Sequence, residues 1–137
     1  MLANGATLGY KEKGATEDFK DLLGLKEIPD IGVEPEKVDN TCLTDPHKMY
    51  EAGIGDLPDM VYKFKYDNTQ ADSPYRLMRK AQEAGKVLSF KETMKDGTAT
   101  EFDAEISVKR TGGGVNGVID FELTVFVQSD LVITDPA

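Results

Sequence analysis

The chain has no tryptophan, one cysteine and one histidine among its 137 residues. A lone cysteine excludes a disulfide framework or a cysteine-based metal site within the chain, and it is typical of a reducing compartment. No apolar run approaches the roughly 20 residues that span a bilayer. The opening residues, MLANGATLGY, lack the basic and apolar regions of a signal peptide. We therefore expect no membrane partner.

Positive charge is also scarce, because 16 basic residues face 25 acidic ones and the net charge is −9. Proteins that hold nucleic acid need a basic face, so this composition argues against such binding. It is compatible with a surface past which DNA slides, and equally with ordinary solubility of an acidic protein. The length predicts a single domain, residues 1–137, with an ordinary core.

Alternating apolar residues predict a mainly β fold. The clearest strand is Met60–Asp67, where aromatic and apolar side chains occupy every second position. The other predicted strands are Thr7–Lys13, Phe19–Leu25 with a break at Gly24, Lys37–Thr44, Lys86–Met94, Glu101–Lys109 and Val118–Gln128. One amphipathic helix is predicted over Pro74–Ala84, with Ser73 as N-cap and Gly85 as stop. This order favours a β-sandwich or barrel with one flanking α-helix.

Three segments lack a pattern that would bury them. Residues 1–6 are predicted to form an N-terminal arm, and residues 129–137 form a C-terminal arm whose apolar residues should pack on something. Residues 44–59, with two prolines and two glycines, are predicted to form a long loop. Loops of this length in a small domain are usually either disordered or functional.

Two motifs could carry chemistry, but each has a plainer interpretation. Residues 112–117 match G-x-G-x-x-G, yet a strand follows them where a dinucleotide site needs a helix, so a hairpin turn is favoured. Cys42 and His47 could form a thiolate–imidazole pair, but nothing nearby would lower the pKa of the thiol. We therefore expect neither a cofactor nor catalysis nor a metal site.

Acidic residues alternate along the last two predicted strands. Antiparallel pairing across the glycine turn is expected to bring these acids opposite one another, at a cost of up to about 1 kcal/mol per pair. A face of this kind is either merely well solvated or serves to repel phosphate. The acids in question are Glu101, Asp103, Glu105, Asp120 and Glu122.

The order of these pieces resembles the major tail tube proteins of long, non-contractile bacteriophage tails. The resemblance is carried by Gly24–Gly32 (GLKEIPDIG), by Glu34–Asp39 (EPEKVD), and by Thr41 with Leu43–Asp45. The aromatic strand, the helix and the glycine turn follow in the family's order, over about residues 5 to 130. The chain departs from the family at Pro46–Tyr50, where a basic pair usually precedes the tyrosine.

The resemblance implies a tail-tube-like fold and a structural virion protein made in the bacterial cytoplasm. Hexameric rings would stack into a tube through which double-stranded DNA passes without specific binding. It implies contacts with tail terminator, tape measure and baseplate proteins, and a negative lumen, for which the five acids are the candidates. The long loop would make contacts between copies. Its candidate residues are Asp45, His47, Lys48, Met49, Tyr50, Ile54, Asp56 and Leu57.

Three alternatives stay open at this point. A tail completion or terminator ring would use the same fold but stop at one ring, and a tube protein like that of type VI secretion would share the architecture. A β-sandwich binding module, for example for carbohydrate, belongs to a different class. Such modules often present tryptophan, which this chain lacks.

Overall fold

Strands dominate the chain. The computed structural model describes the backbone of residues 1–137 and all side chains except those at positions 53, 54 and 56. The strands are β1 Thr7–Glu12, β2 Lys20–Asp21, β3 Leu25–Glu27, β4 Glu34–Asp39, β5 Tyr50–Asp56, β6 Met60–Lys65, β7 Leu88–Thr93, β8 Ala99–Thr111, β9 Asp120–Val127 and β10 Val132–Thr134. One helix, α1, spans Pro74–Glu83. The predicted mainly β fold with a single helix is confirmed.

Helix α1 has the predicted boundaries to within one residue. Pro74 occupies its first turn, where a missing N–H costs nothing. Gly85 follows with φ +66°, a left-handed conformation that glycine adopts without strain. Met78 is fully buried and anchors the helix to the sheet. Among the residues that the structure describes, no helix is both long and apolar enough to cross a bilayer.

Eight strands form one curled sheet. Its order is β2-β1-β7-β8-β9-β6-β3, and β10 pairs with β8 beside this path. The two end strands, β2 and β3, are consecutive in the chain. The amide of Leu22 donates to the carbonyl of Leu8, and the amide of Lys65 donates to the carbonyl of Gly24, each at 2.8 Å. Residues 20–27, which we call the seam, therefore bond to both edges of the sheet.

The core lies inside the curl. Phe64 and Phe121 stack at 5.2 Å between ring centroids, and Phe90 stacks on Phe102 at 5.7 Å. Even-numbered residues of β6, β7 and β8 and odd-numbered residues of β9 point inward, because side chains alternate across a strand. The helix closes one flank, where Gln82 Oε1 accepts from the amide of Val108 at 2.9 Å.

The structure departs from prediction in the region of the long loop. Residues 44–59 are not without regular structure, since strand β5 occupies Tyr50–Asp56 and pairs with β4. The predicted strand over Phe19–Leu25 is divided into β2 and β3 by a turn in which Gly24 has φ +86°. In the C-terminal arm, Leu131 packs against the core, and the next three residues form β10.

Candidate assembly surface

Strands β4 and β5 form a separate two-stranded sheet, which we call the ribbon. Its register pairs Asp39 with Tyr50 and Glu34 with Asp56, with an irregularity between Pro35 and Lys37. Proline is tolerated here because each strand has one unpaired edge. Neither strand pairs with the eight-stranded sheet in the described chain. All side chains of β4 are exposed, so the ribbon projects from the domain with no core of its own.

The tip of the ribbon, residues 40–49, is ordered by short-range hydrogen bonds. The amide of Asn40 donates to the carbonyl of Met49 at 2.9 Å and closes the turn. Asp39 accepts from both the amide and the hydroxyl of Thr41, and these bonds hold the pKa of its carboxyl below the usual range. The amide of Cys42 donates to Asp45 at 2.7 Å. The tip thus has a defined shape without apolar packing.

The ribbon exposes large apolar side chains. Leu43, at the tip, is fully exposed, and Met49 and Tyr50 are 44% and 45% exposed. Tyr50 has only Lys37 for company, whose Nζ lies 3.7 Å from the ring centroid. A hairpin of two strands is marginally stable in water unless a further surface covers it. The ribbon is therefore a surface built to meet a partner.

The predicted assembly-loop residues fall on two parts of the ribbon. Asp45, His47, Lys48 and Met49 lie in the tip. Tyr50 begins β5, and Leu57, half-buried, follows its end. The predictions for Ile54 and Asp56 fall on side chains outside those that the structure describes.

The expected meeting of acids across the last hairpin is wrong. Because β8 is long and β9 begins at Asp120, the acids of the two strands lie at opposite ends of their pairing. Glu122 faces Lys109 on one side and Lys63 on the other, so its charge is compensated by both neighbours. The five acids therefore form two groups rather than one continuous face.

The first group lies on the outward face of β8. Glu101 faces Lys91 across β7, and Asp103 accepts a hydrogen bond from the hydroxyl of Ser89. Glu105 is exposed and faces Phe126. Only one cation faces this group across the strands, so its character stays acidic.

Asp120, from the second group, is buried and ion-paired. It is 5% exposed. Lys26 Nζ, from the seam, donates to both carboxylate oxygens at 3.0 and 3.1 Å, and Lys63 Nζ lies 3.9 Å away. A carboxylate that is covered and neutralised in this way holds β3 against β9 and contributes little to a charged surface.

The other motifs resolve as local structure. Residues 112–117 connect β8 to β9 and open no helix. A Cβ on Gly117 would come within 2.8 Å of the Cα of Gly113, so close backbone approach explains the glycines. Cys42 and His47 are both exposed in the tip, and the described hydrogen bonds do not join them. Among the described side chains, no cluster of three His, Cys, Asp or Glu could hold a metal ion.

Solved structures with this fold come from tail and baseplate assemblies. A chain in the tail of an empty GTA particle, refined with helical C6 symmetry, superposes with a TM-score of 0.73 at 22% identity, covering 97% of this chain and 99% of that one. The chain has a tail-component fold.

Two further likenesses extend this result. A chain of the six-fold symmetrised baseplate of the anti-feeding prophage gives a TM-score of 0.75 at 13% identity, covering 98% of this chain and 95% of that one. A chain from the virion of native gene transfer agent gives 0.70 at 19% identity, with 98% of each covered. No family model matches the sequence, and no curated protein does. The likeness thus lies in the fold rather than in the residues.

Sequence reasoning missed a polar pair inside the core. Tyr62 is fully buried, and its hydroxyl donates to Glu92, which is 3% exposed. Burial raises the pKa of Glu92, and the hydrogen bond from Tyr62 opposes this only in part. Burial and the neighbouring carboxyl likewise raise the pKa of Tyr62. Alternation from Leu88 and Phe90 would have placed Glu92 on the inward face.

Sequence reasoning also missed a cleft of about 880 Å³ beside the N-terminus of α1. Its apolar wall contains Leu22 and Leu23 of the seam, Tyr66 after β6, and Leu77 of the helix. Leu23 is 75% exposed at this surface. Three segments distant in sequence build the cleft, so no local pattern predicts it.

Proposed function

We propose that this protein is the structural subunit of a tail tube, in which hexameric rings stack and enclose a passage for DNA. The observation that carries the proposal is the ribbon, an ordered hairpin whose apolar side chains have no partner in the single chain. A subunit that must polymerise needs such a surface, whereas a monomeric protein would gain nothing from exposing it. The C6 symmetry of a tail with this fold supports the six-fold ring.

The proposal gives the acidic composition a role. A net charge of −9 gives little attraction for phosphate, so DNA would pass through the tube without being held. Glu101, Asp103 and Glu105 are the stronger lumen candidates, since they are at least partly exposed. Asp120 and Glu122 remain candidates with compensated charge. Tail terminator, tape measure and baseplate proteins would be the partners at the two ends of the tube.

Electron microscopy of the purified protein tests the proposal. We expect long tubes of uniform width, and monomers under all conditions of concentration and salt would overturn it. In a resolved tube, outward-pointing Glu101, Asp103 and Glu105 would overturn the lumen assignment alone.

A variant in which a short Gly/Ser linker replaces residues 34–56 tests the role of the ribbon. It should fold with an unchanged melting temperature, because β4 and β5 pair with no strand of the main sheet. It should form no tubes. Lys80→Ala, at an exposed position of α1, is the matched control and should assemble normally. Normal tubes from the linker variant would refute the role of the ribbon.

A ring that does not stack is the second candidate function. It is favoured by the likeness to a baseplate chain, which is as close in fold as the tail chains are. A terminator or baseplate ring would yield single rings in the same micrographs, whereas a tube subunit or a type VI-like tube protein would yield continuous tubes.

A further inference from the structure

The ribbon and the cleft lie at opposite ends of β6. The ribbon returns to the sheet just before Met60, where β6 begins, whereas the cleft is lined by Lys65 and Tyr66, where β6 ends. Five residue steps at about 3.3 Å each separate these two ends by roughly 17 Å. One end of the domain thus carries a projection and the other end a recess.

Both features leave apolar side chains uncovered. At the cleft end, Leu23 is joined by Val118 and Ile119 of the glycine turn, which are 67% and 47% exposed, and the carbonyl of Ile119 accepts from the amide of Tyr66. At the other end, Leu43 is the most exposed side chain of the ribbon. Two uncovered apolar surfaces on opposite ends form a heterologous pair, and such a contact repeats without closing.

The charges around these surfaces are complementary. The cleft is lined by three carboxylates, Asp21, Asp67 and Asp72, against the two lysines Lys20 and Lys65. In the tip, Asp45 already accepts a backbone hydrogen bond, which leaves Lys48 and His47 as its exposed polar groups of the opposite character. A basic and apolar tip therefore matches an acidic and apolar cleft.

From this arrangement we infer that the tip of the ribbon of one copy docks into the cleft of a second copy in the next ring. Leu43 packs against Leu23 and its neighbours, and Lys48 approaches the cleft carboxylates. The inference rests on the proposed tube function and adds the receiving surface to it. The occupant of the cleft is thus a second copy of this chain.

The lone cysteine makes this contact testable, because Cys42 sits beside Leu43 in the tip and is exposed. The variant Leu23→Cys adds one thiol at the cleft without disturbing the core. Disulfide formation requires Cα atoms within about 7 Å. After mild oxidation of the assembled variant, we expect most of the protein to run in denaturing, non-reducing gels as a ladder that continues past the hexamer.

Two controls define the result. Leu23→Cys combined with Cys42→Ser should lose the ladder. Ile133→Cys introduces a thiol of similar exposure, 61%, on β10, outside the residues that line the cleft, and should give no ladder. Circular dichroism of each variant checks that it is folded.

The possible outcomes separate the inference from the proposed function. Wild-type tubes together with a Leu23→Cys variant that gives no ladder would overturn the docking site and leave the tube intact. A ladder from Ile133→Cys, or one that stops at the hexamer, would likewise overturn docking into the cleft of the next ring. Absence of any polymer from the wild type would overturn the proposed function, and the inference with it.

Discussion

Replacing Tyr62 by Phe isolates the energetics of the buried polar pair. The change removes one hydroxyl and leaves the carboxyl of Glu92, 3% exposed, without its donor. A buried polar group that loses its partner costs about 1–3 kcal/mol. For a domain of this size each kcal/mol lowers the melting temperature by about 3–4 °C, so we expect a loss of about 3–12 °C, measured by calorimetry.

The pH dependence of stability provides a sharper test. Burial raises the pKa of Glu92 in the folded state above its ordinary value of 4.5, so the native chain keeps this proton longer than the unfolded chain. Its contribution is therefore complete below about pH 4.5 and is lost as pH rises toward the folded pKa, at up to about 1.4 kcal/mol per pH unit.

The variant Glu92→Gln removes that ionisation. Urea unfolding between pH 4 and 9 should show the free-energy difference between Glu92→Gln and wild type moving steadily in favour of the variant as pH rises. Glu105→Gln, which deletes an exposed glutamate of β8, is the matched control for losing a carboxyl. A difference that stays constant across the range would refute the reasoning, because Glu92 would then have the same pKa in the folded and unfolded chain.

Two further changes test the ion pair and the turn. Lys26→Ala should lower the free energy of unfolding by about 1 kcal/mol in urea titrations, since it leaves Asp120 buried with only a distant cation, although the exposure of the lysine limits the effect; an unchanged midpoint would contradict this. Gly117→Val should lower the melting temperature, because its Cβ meets backbone at 2.8 Å, whereas Gly114→Ala, which meets nothing within 4 Å, should not.

The elements that could be predicted are those with one buried face. Strand β6 and helix α1 were both correctly located, because burial imposes a period of two on one and of 3.6 on the other. Strand β5 has no buried face, so its sequence contains no period to read. Its pairing with β4 depends on backbone hydrogen bonds, which any sequence without too many prolines can make.

Register was harder to predict than strand location. The acids of β8 and β9 were expected to meet because the two strands were assumed to pair along the predicted segments. The observed β8 extends to Thr111 and pairs with Asp120 there, which moves Glu105 opposite Phe126. A shift of a few residues in a long hairpin is invisible to alternation, because every even shift preserves which side chains face the core.

Candidate sites were predictable only where they are local. The tip of the ribbon is one continuous stretch, so its residues could be named from sequence. The cleft combines residues 22–23, 66 and 77, which meet only after the sheet has curled. Glu92 could have been found by strict alternation from Phe90, but a charged residue is ordinarily assumed to point outward.

The seam has a consequence for how the domain opens. Residues 20–27 bond to β1 on one side and to β6 on the other, and Leu22 between them is 4% exposed. Detaching this one segment would free two strand edges at once, so the amides of Leu22 and Lys65 should exchange with deuterium as one cooperative unit. The curl is therefore fastened like a clasp, and the same segment supplies Leu22 and Leu23 to the cleft. Occupation of the cleft by a neighbouring copy would slow that exchange and make the subunit harder to open inside an assembly than alone.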